Sequence, residues 1–239
     1  MFEQFTLIEI VITGLLFMCA GFVRSGLGFG GAALGLPLML FIHDQPLYWL
    51  PIIGAHLLFF TTMTLRTRLH GVDWPYLRKA LLYILPATFV GVFGLLNLPN
   101  DLLVIFVYGI TLFYAFTWIL NWAIQSNNNL LDRFLLLTGG YVAGTSLTGA
   151  PLIVAVFMRH VTGEQLRNTL FVLWFIIVSI KMTTFAVLGV DMHFLAAFAL
   201  LPVAAIGHYI GLKVHDKILQ NDQSFKRMVG AVLALISVL

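Results

Sequence analysis

The first segment suited to anion binding lies at residues 24–31. It contains Arg24, Ser25 and four glycines, including Gly28, Gly30 and Gly31, directly before an apolar run. Glycine lets the chain turn sharply and expose backbone N–H groups at a helix start, where the helix dipole favours anions. The alternative is that these glycines only allow close packing between helices.

A second segment, residues 144–151, repeats the pattern with hydroxyl side chains. Thr145, Ser146 and Thr148 come just before Gly149, and Pro151 follows where a helix start best tolerates its missing N–H. Hydroxyl and N–H donors suit an oxyanion. The alternative is that the hydroxyls bond to carbonyls of their own helix.

Three titratable residues lie inside apolar runs. Lys181 would cost at least ~2.5 kcal/mol at the centre of a bilayer unless its charge is compensated, and a transported anion is a suitable counter-ion. Alternatively, Lys181 reaches the membrane surface or stays neutral. His56 and His208 could relay protons, although packing through hydrogen bonds is the commoner role of such histidines.

The composition requires a membrane to position these residues. The chain has 239 residues, of which 60% are apolar and 10% charged, against about 25% charged in soluble domains. We therefore predict an all-α integral membrane protein, a polytopic helical bundle with one transmembrane domain over residues 1–239. Cys19 is the only cysteine, so disulfides, cysteine-rich zinc sites and thiol-pair chemistry are excluded, and we expect no cofactor.

Ten apolar runs account for most of the chain, and two of them are short. The short runs, 134–146 and 148–158, are predicted to be half-membrane segments surrounded by protein or by a watery cavity. The runs are 5–23, 26–42, 47–65, 80–98, 102–123, 134–146, 148–158, 168–189, 193–212 and 228–239.

Basic residues indicate how these runs are oriented. Lys and Arg cluster at 66–79, 159–167 and 213–227, whereas the turns at Asp44, Asp101 and Asp191 carry none. The positive-inside rule assigns the basic loops to the cytoplasm. We predict a multi-pass protein of the inner (cytoplasmic) membrane with both termini in the periplasm.

The two halves of the chain, about 5–124 and 131–239, share a weak repeat. Residues 21–31 align with 140–150, and the Leu-Pro and glycine pattern at 85–94 aligns with 201–211. Each half then has a Gly-rich broken or re-entrant hairpin followed by three transmembrane helices. An odd number of segments in each half requires the second half to be inverted, as in many secondary transporters.

These elements resemble the TauE/SafE transporters, sulfite and organosulfonate exporters grouped with toluene-sulfonate uptake permeases. The resemblance covers nearly the whole chain: the glycine-rich residues 21–31 with Pro37, the Arg68 to Trp74 element, the helix holding Pro86, the segment 140–151 and the helix with Lys181. It implies transport of a sulfur-containing or other small organic anion, driven by protons without ATP.

We accordingly predict a secondary transporter working by alternating access, with an anion site where the two hairpin tips meet. The expected partners are a small anion, the lipid bilayer and protons, with no nucleic acid; a homodimer is left open. An anion channel or a non-transporting membrane subunit is the alternative. An intramembrane enzyme is less favoured, because the spans contain no paired carboxylates.

Overall fold

The computed structural model describes residues 5–27, 31–122, 124–220, 230, 231, 233–235 and 237. Gly28 and Gly30 of the first hairpin tip lie outside this part. The described residues form α-helices and one short 3₁₀ turn, with no strand among them, and those of the tenth predicted run are helical. The helices are α1 (Leu7–Leu27), α2 (Gly31–Leu40), α3 (Pro46–Leu65), α4 (Trp74–Asn97), α5 (Asn100–Ile119), α6 (Asn129–Ser146), α7 (Ala150–His160), α8 (Gly163–Val187) and α9 (Phe194–Gln220).

Six helices in the described part of the chain are long and apolar enough to cross a membrane: α1, α3, α4, α5, α8 and α9. The prediction of an all-α polytopic membrane protein is confirmed. The short apolar helices are α2 and α7, the second arms of the two hairpins. Because α6 begins at Asn129, it is longer than the predicted run of 134–146.

Local polar residues explain several helix boundaries. The Asp73 carboxylate accepts a hydrogen bond from the Tyr76 N–H at 3.0 Å and caps α4. The helix therefore begins at Trp74, six residues before the apolar run that starts at 80. In the same way, the Asn128 side chain accepts the Leu131 N–H at 2.8 Å and starts α6. These caps add polar first turns that a search for apolar runs does not detect.

The chain divides into two compact units, and each takes helices from both halves of the sequence. Unit 1 comprises Met1–His56, Pro99–Ala123 and Asp191–Leu239, so it contains α1, α2, α5 and α9. Unit 2 comprises Leu57–Leu98 and Ile124–Val190, so it contains α4, α6, α7 and α8.

In unit 1, α1 packs closely against α9 through glycine. A Cβ atom at Gly21 would lie 2.5 Å from the Ala204 carbonyl oxygen, and one at Gly207 would overlap the Met18 carbonyl. Because the neighbours are backbone atoms, they cannot rotate away. Glycine is therefore required by the closeness of this crossing.

In unit 2, α4 and α6 cross in the same manner. A Cβ atom at Gly140 would lie 2.6 Å from the Ile84 carbonyl oxygen, and one at Gly144 would overlap the Thr88 carbonyl. The Thr88 hydroxyl also donates to the Gly140 carbonyl at 3.2 Å. Each unit thus packs the first hairpin helix of one half against a long helix of the other half. The inverted orientation of the two halves stays a prediction.

Candidate functional site

The hairpin of unit 2 turns between α6 and α7 at a left-handed residue. Leu147 has φ 60° and ends α6, with its N–H donating to the Ala143 carbonyl at 3.0 Å. Pro151 lies in the first turn of α7, where its missing N–H leaves no intrahelical bond unmade. The break predicted between the two short runs is therefore where the helix is interrupted.

Lys181 of α8 reaches this break. Lys181 is 1% exposed, and its Nζ donates to the carbonyls of Gly144 at 2.7 Å and Thr145 at 3.0 Å. These carbonyls belong to the last turn of α6, where the helix dipole is negative and favours a cation. The amino group of Lys181 thus remains inside the protein and does not reach the surface.

The three predicted hydroxyls at the break are buried and already engaged. Thr145 donates to the Tyr141 carbonyl at 2.8 Å, and Ser146 donates to the Val142 carbonyl at 3.0 Å. Thr148 lies 2.6 Å from the Ser146 oxygen, and since the Ser146 proton is in use, Thr148 is the donor. In this arrangement the hydroxyl protons are bonded within the protein, as the packing alternative anticipates.

Backbone N–H groups at the start of α7 are the remaining donors at this break. Gly149 is the N-cap residue, and no side chain caps the helix there. The first N–H groups of a helix have no intrahelical partner and lie at the positive end of its dipole. A Cβ at Gly149 would overlap the Gly139 carbonyl, which explains why glycine is needed.

In unit 1, the predicted residues lie near the end of α1. Arg24 is buried, and its guanidinium donates to the His56 carbonyl at 3.5 Å. Ser25 is also buried, and its hydroxyl bonds to Nδ1 of His208 in α9 at 2.5 Å. Gly31 begins α2, and a Cβ there would lie 2.7 Å from the Arg24 Cβ.

The two histidines predicted as proton relays make structural hydrogen bonds. Nε2 of His56 lies 2.7 Å from the Ala197 carbonyl, and because a carbonyl only accepts, this nitrogen carries a proton. The ring also meets Phe17 edge-on at 5.0 Å. His208 joins α9 to α1 through Ser25. These contacts are those of the packing alternative, and the proton-relay role stays a prediction.

Sequence reasoning missed a polar cluster at the open end of the α6–α7 hairpin. Asp132 lies in the first turn of α6, and its Oδ2 accepts from Arg159 and from His160, both at 2.8 Å. The sequence signal that could have revealed this cluster is a carboxylate at the start of the hairpin, Asp132, and two basic residues at its end, Arg159 and His160.

In the described part of the chain, six membrane-length helices, a hairpin interrupted at Leu147 and a buried lysine beside that interruption define a polytopic helical membrane protein with features of transporters. The chain belongs to the sulfite exporter TauE/SafE family, whose model matches residues 13–239. No curated protein and no solved structure matched the chain. The resemblance noted in the sequence is confirmed. Because this is a family of membrane transporters, its membership is consistent with a function other than catalysis.

Proposed function

We propose that this chain is a secondary transporter that carries a sulfur-containing oxyanion or an organosulfonate across the cytoplasmic membrane. It works by alternating access and is coupled to protons. The family supports the class of transported ion, and one observation carries the assignment of the site: the buried ammonium of Lys181 at the break between α6 and α7.

The charge of Lys181 is stabilised by hydrogen bonds to the end of α6, but no opposite charge among the described residues neutralises it. The two carbonyl partners are dipoles, and in the described part of the chain no carboxylate forms an ion pair with this lysine. A charge within a membrane is costly without a counter-charge. An oxyanion would supply that counter-charge when it binds.

Lys181 also has donor capacity left for an anion. An ammonium group has three N–H donors, and the two carbonyls of α6 take two of them. The start of α7, at Gly149 and Ala150, supplies backbone N–H groups that follow the break directly. We propose that the third N–H of Lys181 and these backbone groups bind oxygens of the same anion.

Unit 1 has a buried basic residue of its own. Arg24 lies in the last turn of α1 and precedes the glycine-rich tip, as Thr145 and Ser146 precede Gly149 in unit 2. Its guanidinium can bind two oxygens of a sulfonate or sulfite at once. We propose that Arg24 and Ser25 bind the anion during transport.

The test is thermal stability of the purified protein against sulfite, sulfate, thiosulfate, taurine and sulfoacetate, with acetate as the carboxylate control. A ligand that binds only the folded protein raises stability by about 2.7 kcal/mol at a concentration of one hundred times Kd. We expect saturable stabilisation by at least one sulfur oxyanion, and its loss in Lys181→Met.

Lys213→Met is the matched control, because Lys213 is an exposed lysine of α9 over the ring of Tyr209. It should bind the anion as the wild type does. Equal stabilisation of Lys181→Met and wild type would remove Lys181 from the site. No stabilisation by any of the anions would count against a carrier.

A further inference from the structure

The cluster at the open end of the α6–α7 hairpin joins three helices. Asp132 of α6 holds Arg159 and His160 of α7, and the His160 ring stacks on Tyr76 of α4, with centroids 4.7 Å apart and planes 19° apart. Phe157 also meets the Tyr76 ring edge-on, with centroids 5.2 Å apart. The position of the imidazole is therefore determined by both a carboxylate and an aromatic ring.

This cluster contains one more proton donor than a simple ion pair needs. Arg159 alone neutralises Asp132, and its charge is permanent. His160 donates to the same Oδ2 atom through Nε2, whether the ring is neutral or protonated. The ring can therefore gain a proton at Nδ1 without breaking its bond to Asp132, and the net charge of the cluster then changes from zero to +1.

The neighbouring groups keep the Asp132 carboxyl ionised. Burial acts to raise the pKa of the Asp132 carboxyl, but a hydrogen bond from Ser126 and the interactions with His160 and Arg159 outweigh burial and hold that pKa below its ordinary value. Asp132 is therefore an anion near neutral pH. Tyr76 of α4 lies against the cluster. Asp73, the N-cap residue of α4, interacts electrostatically with Tyr76.

The imidazole is partly exposed at the end of α7. The His160 side chain is 28% exposed, whereas that of Asp132 is 10% exposed. The positive-inside rule predicts that this end of the hairpin faces the cytoplasm, from which protons can reach the imidazole. The carboxylate that holds the imidazole is shielded from water, which strengthens their interaction.

The cluster and the proposed anion site lie at opposite ends of one short helix. α7 runs from Ala150 to His160, so its ends are about 15 Å apart at 1.5 Å per residue. Gly149 and the N–H groups that we assign to the anion lie at its start. A helix of this length moves as a rigid element, so a shift at His160 is transmitted to the break.

We propose that His160, held by Asp132 and Tyr76, is the proton-binding group that couples proton movement to anion transport. This inference rests on the proposed function, and it assigns the coupling proton to unit 2 instead of to His56 or His208. Protonation would change the attraction between the first turn of α6 and the end of α7, and thus bias the hairpin between two arrangements.

The test uses the full chain in proteoliposomes with radiolabelled sulfite and, as a second probe, radiolabelled methanesulfonate, whose charge is constant over the pH range of transport. Two rates are compared: anion exchange at equal pH, and accumulation driven by a pH gradient. His160→Gln keeps an N–H donor for Asp132 but cannot titrate. We expect exchange within about twofold of wild type and at least a tenfold loss of accumulation.

His193→Gln is the matched control. His193 lies 3.4 Å from Asp191, whose side chain is 77% exposed, and it belongs to unit 1. It should keep both rates. As a second variant, Asp132→Asn keeps the shape of the side chain but removes the carboxylate that holds the imidazole, so accumulation should fall while exchange is kept.

The outcomes separate this inference from the proposed function. Accumulation by His160→Gln equal to wild type would overturn the inference, as would loss of exchange together with accumulation, since that pattern indicates a structural role. Wild-type exchange without accumulation would also overturn it, while leaving an uncoupled carrier in place. Absence of both rates in the wild type would overturn the proposed function and the inference with it.

Discussion

In unit 1 the buried cation belongs to the hairpin itself, whereas in unit 2 it comes from outside the hairpin. Arg24 lies in the last turn of α1, and Lys181 extends from α8 to the last turn of α6. The Arg24 guanidinium donates to the His56 carbonyl of α3, whereas the Lys181 Nζ donates to the last carbonyls of α6, at the negative pole of that helix dipole. The two units therefore hold their buried basic side chains with carbonyls from different parts of a helix.

The polar link to the long neighbouring helix differs as well. In unit 1, Ser25 bonds to the His208 side chain of α9. In unit 2, Thr145 bonds to its own helix at 2.8 Å and only more distantly, at 3.4 Å, to the Gly91 carbonyl of α4. Both units therefore pack these helices closely at glycine. Unit 1 adds a bond between two side chains, whereas unit 2 adds bonds from threonine hydroxyls to backbone carbonyls.

The largest expected effect is at the glycine crossings. Gly207→Ala and Gly144→Ala each place a Cβ inside a backbone carbonyl of the neighbouring helix, at Met18 and Thr88 respectively. Overpacking of this kind typically costs roughly 1–3 kcal/mol and more where backbone must move. We expect both variants to lose most of their folded, monodisperse protein in size-exclusion chromatography.

The control for the crossings is Gly109→Ala, where a Cβ would have no atom within 4 Å. It should behave as wild type. If only one of the two crossing variants were destabilised, the two units would not depend on glycine in the same way, and the comparison between them would fail.

A smaller effect is expected from exchanging the two types of cation. Lys181→Arg adds volume at a residue that is 1% exposed, so we expect a loss of about 1–3 kcal/mol of unfolding free energy. Arg24→Lys shortens the side chain and keeps a charge near the end of α1, so we expect a loss of only about 1 kcal/mol. Thermal denaturation in detergent measures both. Equal losses of unfolding free energy in the two variants would mean that stability does not depend on whether the cation belongs to the hairpin or to another helix.

The smallest effect on stability is expected from removing the hydroxyl groups of Ser25 and Thr145. Ser25→Ala removes a bond between α1 and α9, which should cost about 1 kcal/mol. Thr145→Val preserves shape and removes a bond that lies mainly within α6, so its cost should be below ~0.5 kcal/mol. Denaturant titrations of the two variants, compared with wild type, test this order. A larger loss for Thr145→Val would show that the 3.4 Å contact with α4 matters more than its length suggests.

The sequence alone determined the helical membrane class, the family and most helix positions. Apolar runs and helix caps are local signals, so the cap at Asp73 and the break after Ser146 could be predicted from neighbouring residues. The start of α6 at Asn129 was misplaced because its first turn is polar and forms no apolar run. The end of α9 at Gln220 was missed for the same reason.

Only the tertiary structure decided which residues meet. Lys181 finds its two carbonyls 36 and 37 residues earlier in the chain, and Asp132 finds its partners 27 and 28 residues later. The sequence also suggested two consecutive halves, yet each compact unit combines helices from both. Hydropathy shows which segments form membrane helices. Which helices pack together depends on where glycine allows close approach and on which distant side chain reaches the unpaired carbonyls at a helix end.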